Sequence, residues 1–555
     1  MKRSSTLRLL IISTILILVL LTVQAPCISG TALKRPPYVP GEVLVKYKPH
    51  VSPSRITASH AARGTKTIRQ LHSVSAHQIK LPAGMTVAEA LEEYRSDPDV
   101  EYAEPNYFRY ATSTIPNDTD WGKLWGLHNT GQLINGTSGT IDADMDAPEA
   151  WDLWTGDSSV VVAVIDTGIA YDHDDLSTNM TNGWDFIDSD NDPMDSNGHG
   201  THVAGTIGAI GNNGKGITGV CWTTSIMPLR MMNAFGVGDV AAEIAAIDYA
   251  RVNGAKIINA SLGSDTPSTA EHDAIVVAQN AGILFIAAAG NDGVNNDTAG
   301  DYPASYDLDN IIAVAATNQS DGMASFSNYG ETTVDIGAPG EDIYSTKPAR
   351  QEIWSDDFED DDISDWTTGG SNNTWTTTDS ESCSGSYSLS ESPGGSYQNN
   401  TNSWVQMPTL DLSTYHGVKL DCYLWGSSQD NDCLYVEGST DGVNYTNLDV
   451  VLDGDDYFQS GISGDYSFAC HAATVDLGAY DGKNPVYIRF RFQSNNSAVA
   501  DGWHIDNIVM SATDPSYAAD DYQYLDGTSM ATPHVTGLAG LIWSNNPGLT
   551  YTEVK

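Results

Sequence analysis

Val160-Val161-Val162-Ala163-Val164-Ile165 is a continuous apolar run that ends on Asp166-Thr167-Gly168. A short run without alternation reads as a strand buried on both faces. Similar runs follow at 255–260, 283–287 and 311–315, and helical patterns lie between them at Val240–Val252 and 268–280. Strands alternating with helices predict an α/β fold with a parallel sheet. A carboxylate that ends such a strand can point into a cleft at the sheet's carboxyl edge, which makes Asp166 a candidate site residue.

The pattern changes after about Gln351. As far as about Ala518 helical periodicity vanishes, and 418–425, 433–437 and 486–492 alternate with period two, with Thr440-Asp441-Gly442 as a hairpin turn. Residues 351–518 therefore read as a separate all-β module, flanked by α/β sequence at 116–350 and 519–555. A small α+β unit is expected over 38–110, from a strand at 42–47, a helix at 87–94 and a closing segment at 100–106. Lys2, Arg3 and Arg8 precede an apolar run from Leu9 to about Val23, followed by small residues. Residues 1–30 read as a cleavable secretory signal, with a membrane anchor as the alternative.

The net charge of −46 is unevenly spread. Residues 1–110 carry a balance of +6 and the remainder −52. An anionic body of this kind repels nucleic acid and anionic lipid, excluding nucleic-acid binding, and suits divalent cations or a salty exterior. Cys383, Cys422, Cys433 and Cys470 lie in the β module, and in a secreted chain they suggest two local disulfides with three pairings open. One pairing joins Cys422 to Cys433 and leaves Cys383 with Cys470.

Asp166-Thr167-Gly168, Gly198-His199-Gly200-Thr201-His202-Val203-Ala204-Gly205 and Gly527-Thr528-Ser529-Met530-Ala531-Thr532-Pro533-His534 stand in that order. They resemble the Asp, His and Ser blocks of the subtilisin-like serine proteases, thermitase-like members included. The resemblance implies a serine endopeptidase acting on protein or peptide substrates. Ser529 would be the nucleophile, His199 its base and Asp166 the carboxylate that fixes and stabilises the imidazole. His199 and Ser529 are 330 residues apart, about twice the family spacing; without the 168-residue module the separation returns to a normal value. The unit at 38–110 resembles the family's propeptide, which implies an intramolecular inhibitor and an autoprocessed precursor.

The same resemblance assigns further residues. Ala288-Ala289-Gly290-Asn291 is similar to the oxyanion strand, with Asn291 as side-chain donor. Ser261, Leu262 and Gly263 would line one side of an extended peptide, with Gly236 and Gly238 on the other. Asp301, just before Tyr302-Pro303, would lie at the floor of the pocket for the side chain preceding the scissile bond and favour Lys or Arg there. Its alternatives are a turn outward to solvent or a role in holding a cation. Asp185, Asp188, Asp190 and Asp192 pack four carboxylates into eight residues, and the segment resembles a structural Ca²⁺ loop. A second Ca²⁺ site is implied at Asp118, Asp175, Asn213 and the carbonyls of Ile210, Lys215 and Ile217.

With Phe358-Glu359 near its start, Ser439-Thr440-Asp441-Gly442 in its middle and Asp501-Gly502-Trp503-His504-Ile505-Asp506-Asn507-Ile508 at its end, the inserted module resembles jelly-roll, MAM-like ectodomains, which implies a glycan or a surface protein as ligand, with passive shielding as the alternative. Two rival readings of the whole are an adhesion or glycan-binding protein on a protease scaffold and a dedicated maturation protease for envelope proteins. The segment 519–555 ends sooner than the resemblance implies.

Overall fold

The computed structural model describes residues 38–107, 114–429, 431–453, 456–513 and 522–555. The expected signal segment at 1–30 lies outside them, as does 108–113. The chain divides into two units, Met1–Thr112 and Ser113–Lys555.

In the first unit Lys66–Leu71, Ala76–Lys80, Tyr38–Tyr47 and Val100–Tyr107 pair in that order as an antiparallel sheet. Alternation along Tyr38–Tyr47 turns Val43, Val45 and Tyr47 inward, against Val87, Ala90 and Tyr94 of helix Val87–Arg95. Thr86 caps that helix, and Glu89 completes the capping box. The sequence did not single out helix Pro53–Ala62, whose apolar periodicity is weak.

The second unit is built on a seven-stranded parallel sheet in the order Ile336–Pro339, Ile311–Thr317, Leu284–Ala288, Ile257–Ala260, Val161–Asp166, Ser225–Arg230, Trp184–Asp185. Its faces explain the continuous apolar runs. Val162 and Val164 pack with helices His199–Gly208 and Thr528–Asn545, while Ala163 and Ile165 pack with Val240–Val252 and Thr269–Asn280. Asp239 and Ser268 cap the latter two through Ala242 N and Glu271 N. Val161–Asp166 has its successors on both sides, Ser225–Arg230 on one and Ile257–Ala260 on the other. Its carboxyl end is therefore the point where strand order reverses and a crevice opens.

Between Arg350 and Thr513 the chain forms two antiparallel sheets around one core. The larger is built on Gly502–Thr513, Lys419–Ser427 and Asp465–Asp476, the smaller on Asn402–Gln406, Tyr487–Gln493 and Cys433–Ser439. Leu420, Leu424, Val436, Phe490, Phe492 and Trp503 fill the space between them. Cys383 and Cys470 are bonded, but Cys422 and Cys433 are free thiols. The two-disulfide expectation fails because Cys422 is on the larger sheet and Cys433 on the smaller, so they do not close a common hairpin.

A buried arginine ties this β region to the parallel sheet. Arg230 is 4% exposed and ends the strand beside Asp166. Its Nη1 donates to Asp185 (2.7 Å) and Asp188 (2.8 Å), and its Nη2 to Asp476 of the β region (3.4 Å). Asp192 takes Tyr171 (2.7 Å) and His416 (2.6 Å), and Asp190 accepts Asp192 N. In the acidic run at 185–192 two of the four carboxylates, Asp185 and Asp188, are thus bonded to Arg230. The cation it meets is a guanidinium from a distant strand, and among the described residues no group of three or more His, Cys, Asp or Glu is placed to hold a metal. Removing one partner of a buried ion pair strands the rest, so Arg230→Met should destabilise the second unit by about 3–5 kcal/mol. Equilibrium urea unfolding checks this; unchanged stability would mean that the three carboxylates find other partners.

Candidate active site

Asp166 ends the central strand and is fully buried. Its Oδ1 accepts Thr167 N (2.7 Å) and His199 Nδ1 (2.7 Å), while Oδ2 has no partner. The helix that begins at His199 reaches the carboxylate only because its second residue is glycine. A Cβ on Gly200 would lie 2.1 Å from Gly168 O and 3.0 Å from Asp166 Cβ. Burial opposes charge on the His199 imidazole, but the carboxylate beside it prevails and holds it above its ordinary 6.5, with Asp195 adding to the effect.

Asp195 was not singled out in the sequence, although an Asp shortly before a helix start is a capping signal. It is fully buried, and it accepts Thr167 Oγ1, Gly198 N, Thr201 N and Thr201 Oγ1 at 2.6–2.9 Å. These bonds join the turn before His199 to the residue after Asp166, so base and carboxylate share one rigid support.

Ser529 lies in the first turn of helix Thr528–Asn545. Its hydroxyl donates to Ser261 O (3.0 Å), and the Ser261 hydroxyl donates back to Ser529 O (2.9 Å). Among the described residues no hydrogen bond joins His199 to Ser529. Asn291 Oδ1 accepts both Thr528 N and Thr528 Oγ1 (2.9 Å each), which leaves its amide N–H groups free to donate. Thr528 is a second residue the sequence did not single out. Its hydroxyl also accepts Gly290 N (3.1 Å), fixing the Asn291 segment to the Ser529 helix.

Asp301 is 9% exposed, and its Oδ1 has no partner. It is wedged between two backbone segments: a Cβ on Gly263 would meet Asp301 Oδ1 at 2.1 Å, and one on Gly290 would meet Oδ2 at 2.6 Å. The outward-turned alternative therefore does not describe it. Burial, with Asp292 and Asp265 adding negative charge nearby, pushes its carboxyl up to about 7. Gly236 and Gly238 line one cavity with Leu262 and Gly263, so the two expected edge segments do face each other.

Asp118 and Asp175 are buried on either side of the loop 210–217. Asp118 accepts Asn212 N (2.8 Å) and Asn213 N (3.0 Å). Asp175 accepts Asn213 Nδ2 (2.6 Å), Ile217 N (2.9 Å) and the hydroxyl of Tyr522 (2.9 Å). Burial pushes both carboxyls up, and at Asp175 the charge of Asp118 adds to the effect. Tyr522, on the far side of the β region in sequence, carried no signal for this role.

The chain matches the subtilase family over residues 157–400 and 471–555, and the fervidolysin N-terminal prodomain over 29–106. It is 41% identical over 310 residues to the thermophilic serine proteinase of Bacillus sp. (strain AK1), covering 56% of this chain and 72% of that protein. To thermitase of Thermoactinomyces vulgaris it is 45% identical over 202 residues, covering 36% and 70%. To the minor extracellular protease Epr of Bacillus subtilis (strain 168) it is 34% identical over 307 residues, covering 55% and 43%. The chain belongs to the subtilase family. It is a thermitase-like, subtilisin-type serine endopeptidase with an N-terminal prodomain.

Proposed function

We propose that this endopeptidase is secreted, releases itself from its prodomain, and cleaves preferentially after basic residues, using Ser529, His199 and Asp166. The observation that carries this reading is the buried Asp166 carboxylate on His199 Nδ1 at the strand-order reversal, next to the helix bearing Ser529. Substrate entry turns the Ser529 hydroxyl from Ser261 O toward His199 Nε2, a tightening common when a Michaelis complex forms. His199 takes the hydroxyl proton as Oγ attacks the scissile carbonyl. Asp166 stabilises the imidazolium, and the same proton then passes to the leaving amine. Asn291, aimed by Thr528, and the backbone N–H of Ser529 receive the oxyanion. Water attacks the acyl-enzyme by the reverse path.

Support for secretion comes from the N-terminal signal pattern and from a relative named as extracellular. In the organisation we favour, 1–30 is the signal, 38–110 the inhibitory prodomain, 116–350 with 519–555 the catalytic domain, and 351–518 an inserted jelly-roll module. Ser529→Ala should abolish hydrolysis of a small peptide substrate and accumulate full-length precursor. A mature N-terminus still forming near residues 109–116 in that variant would overturn self-processing.

Asp118, Asp175, Asn213 and the carbonyls of Ile210, Lys215 and Ile217 would be the ligands, and two of them are buried carboxylates of which Asp175 feels the charge of Asp118. That donor chemistry fits Ca²⁺, which would supply the missing countercharge and brace the loop. At 185–192 the guanidinium of Arg230 meets Asp185 and Asp188, one positive charge against two of the run's four carboxylates. At Ca²⁺ a hundredfold above its Kd the stabilisation would be about 2.7 kcal/mol. Chelator should therefore lower the melting temperature of the wild type but not of Asp175→Asn, and an equal fall in both would remove this site.

Asp301 bears on specificity. A Lys or Arg side chain would meet its unpaired Oδ1, whereas an aliphatic one would bury the charge alone. The Lys-to-Phe ratio of kcat/KM at the position before the scissile bond should rise as pH climbs through about 7, where the carboxyl ionises, and should fall in Asp301→Asn. A ratio unchanged by the mutation would show that Asp301 does not read the substrate.

A further inference from the structure

The β region inserted between base and nucleophile touches the catalytic domain at one short segment beside the cleft. Just beyond strand Ser225–Arg230, residues 233–238 fold back on themselves: Asn233 N donates to Val237 O (2.9 Å), and Asn233 Oδ1 accepts Phe235 N (3.0 Å) and Val237 N (3.2 Å). The tip at 236–238 is exposed and lines, with Leu262 and Gly263, a cavity of about 390 Å³. The base of the segment is held from the insert. Asp476, the last residue of strand Asp465–Asp476, accepts Ala234 N (3.0 Å) and Arg230 Nη2 (3.4 Å) on Oδ2, and its Oδ1 accepts Gly478 N (2.9 Å). A second contact comes from strand Asp456–Phe458 of the insert. The Tyr457 ring packs edge to face with Phe235, 6.0 Å between centroids, and its hydroxyl is hydrogen-bonded to the side chains of Asn233 and Asp449.

The same segment is joined to the catalytic base. Ala234 O accepts Asn197 Nδ2 (2.8 Å), and Asn197 Oδ1 accepts His199 N (3.1 Å). The backbone of Ala234 is thus bonded through its N–H to the insert and through its carbonyl to the turn that carries His199. Ala234 is buried, so without Asp476 its N–H would lack a partner, and the segment would shift to regain one. A peptide that adds as a strand bonds to backbone, and a displacement of about 1 Å in a positioning element can cost a hundredfold in rate. Where 233–238 is held therefore bears directly on how a long peptide binds.

We propose that the insert completes the peptide groove: Asp476 and Tyr457 are positioning residues that hold 233–238 in place for the part of the substrate preceding the residue that faces Asp301. This rests on reading the cleft between 236–238 and 261–263 as the peptide groove. Neither residue touches the reacting atoms. Asp476 acts through the Ala234 N–H, and Tyr457 through the Phe235 ring and the Asn233 side chain.

The test compares two substrates with the same residue before the scissile bond and the same leaving group. One ends there in a small acyl cap, and the other continues through several further residues toward its N-terminus. In the wild type the longer peptide should gain on the order of a hundredfold in kcat/KM. Asp476→Ala and Tyr457→Ala should each cut that gain by on the order of tenfold. Both rates are read on one preparation, so their ratio is independent of the fraction folded, and a role in stability alone would leave it unmoved. Tyr457 lies outside the Arg230 ion cluster, so its variant decides the matter even if Asp476→Ala does not fold. A gain that the variants keep would overturn the proposal, and a gain kept in only one of them would overturn the part assigned to that residue. No gain from length in the wild type would overturn instead the groove on which the proposal rests.

Discussion

Everything at the site depends on how closely the helix bearing His199 can approach the strand that ends at Asp166. The gap admits no side chain at Gly200, and Gly168 supplies the turn that clears it. Contact at this distance places the imidazole on a fully buried carboxylate, and Asp195 fixes both flanks with backbone and hydroxyl bonds. The helix bearing Ser529 is anchored independently, through Ser261 just after one strand and Asn291 in the loop after the next. Nucleophile and base thus come to a common point from separate supports, and the hydroxyl rests on a carbonyl until substrate arrives.

A second theme is the placing of negative charge. The chain is strongly acidic, yet its buried carboxylates are treated in three ways. Some are spent on a cation of the protein itself, as Asp185, Asp188 and Asp476 are on Arg230. Others are wrapped in donors, as Asp195 is. Asp301 and Glu243 instead each keep one buried carboxylate oxygen without a partner, where burial without compensation is costly. That third arrangement borders the cavity between the two edge segments, which Glu243 lines and where Asp301 lies against Gly263.

The sheet was legible because both its faces are buried, which prints as continuous runs such as 160–165, and the catalytic blocks were legible because glycines and polar residues crowd about single reactive side chains. What escaped the sequence depends on partners remote along the chain. The acidic run at 185–192 carries no sign of Arg230, nor Asp175 of Tyr522. Cys422 and Cys433 look like hairpin neighbours by spacing and lie on opposed sheets. Glu243 and Glu271 are both buried, and nothing local in the sequence shows that two helix starts bring them together. Thr528 was hidden beside a more conspicuous serine.

The β region interrupts the catalytic chain between its base and its nucleophile, yet its two ends are laced together. Ile343–Thr346 pairs with Tyr522–Leu525, and just inside it Arg350 pairs with Thr513. Closing a flexible loop costs conformational entropy that grows with the logarithm of its length, about 0.6 kcal/mol for each doubling. A folded insert with adjoining ends removes most of that length from the count. To the helix that delivers Ser529, the chain between strands behaves as a tight turn, provided the insert has folded first. The insert thereby bears on the nucleophile through its ends alone: once the sandwich has closed, bringing Ser529 to the base costs little more loop entropy than a short connection would.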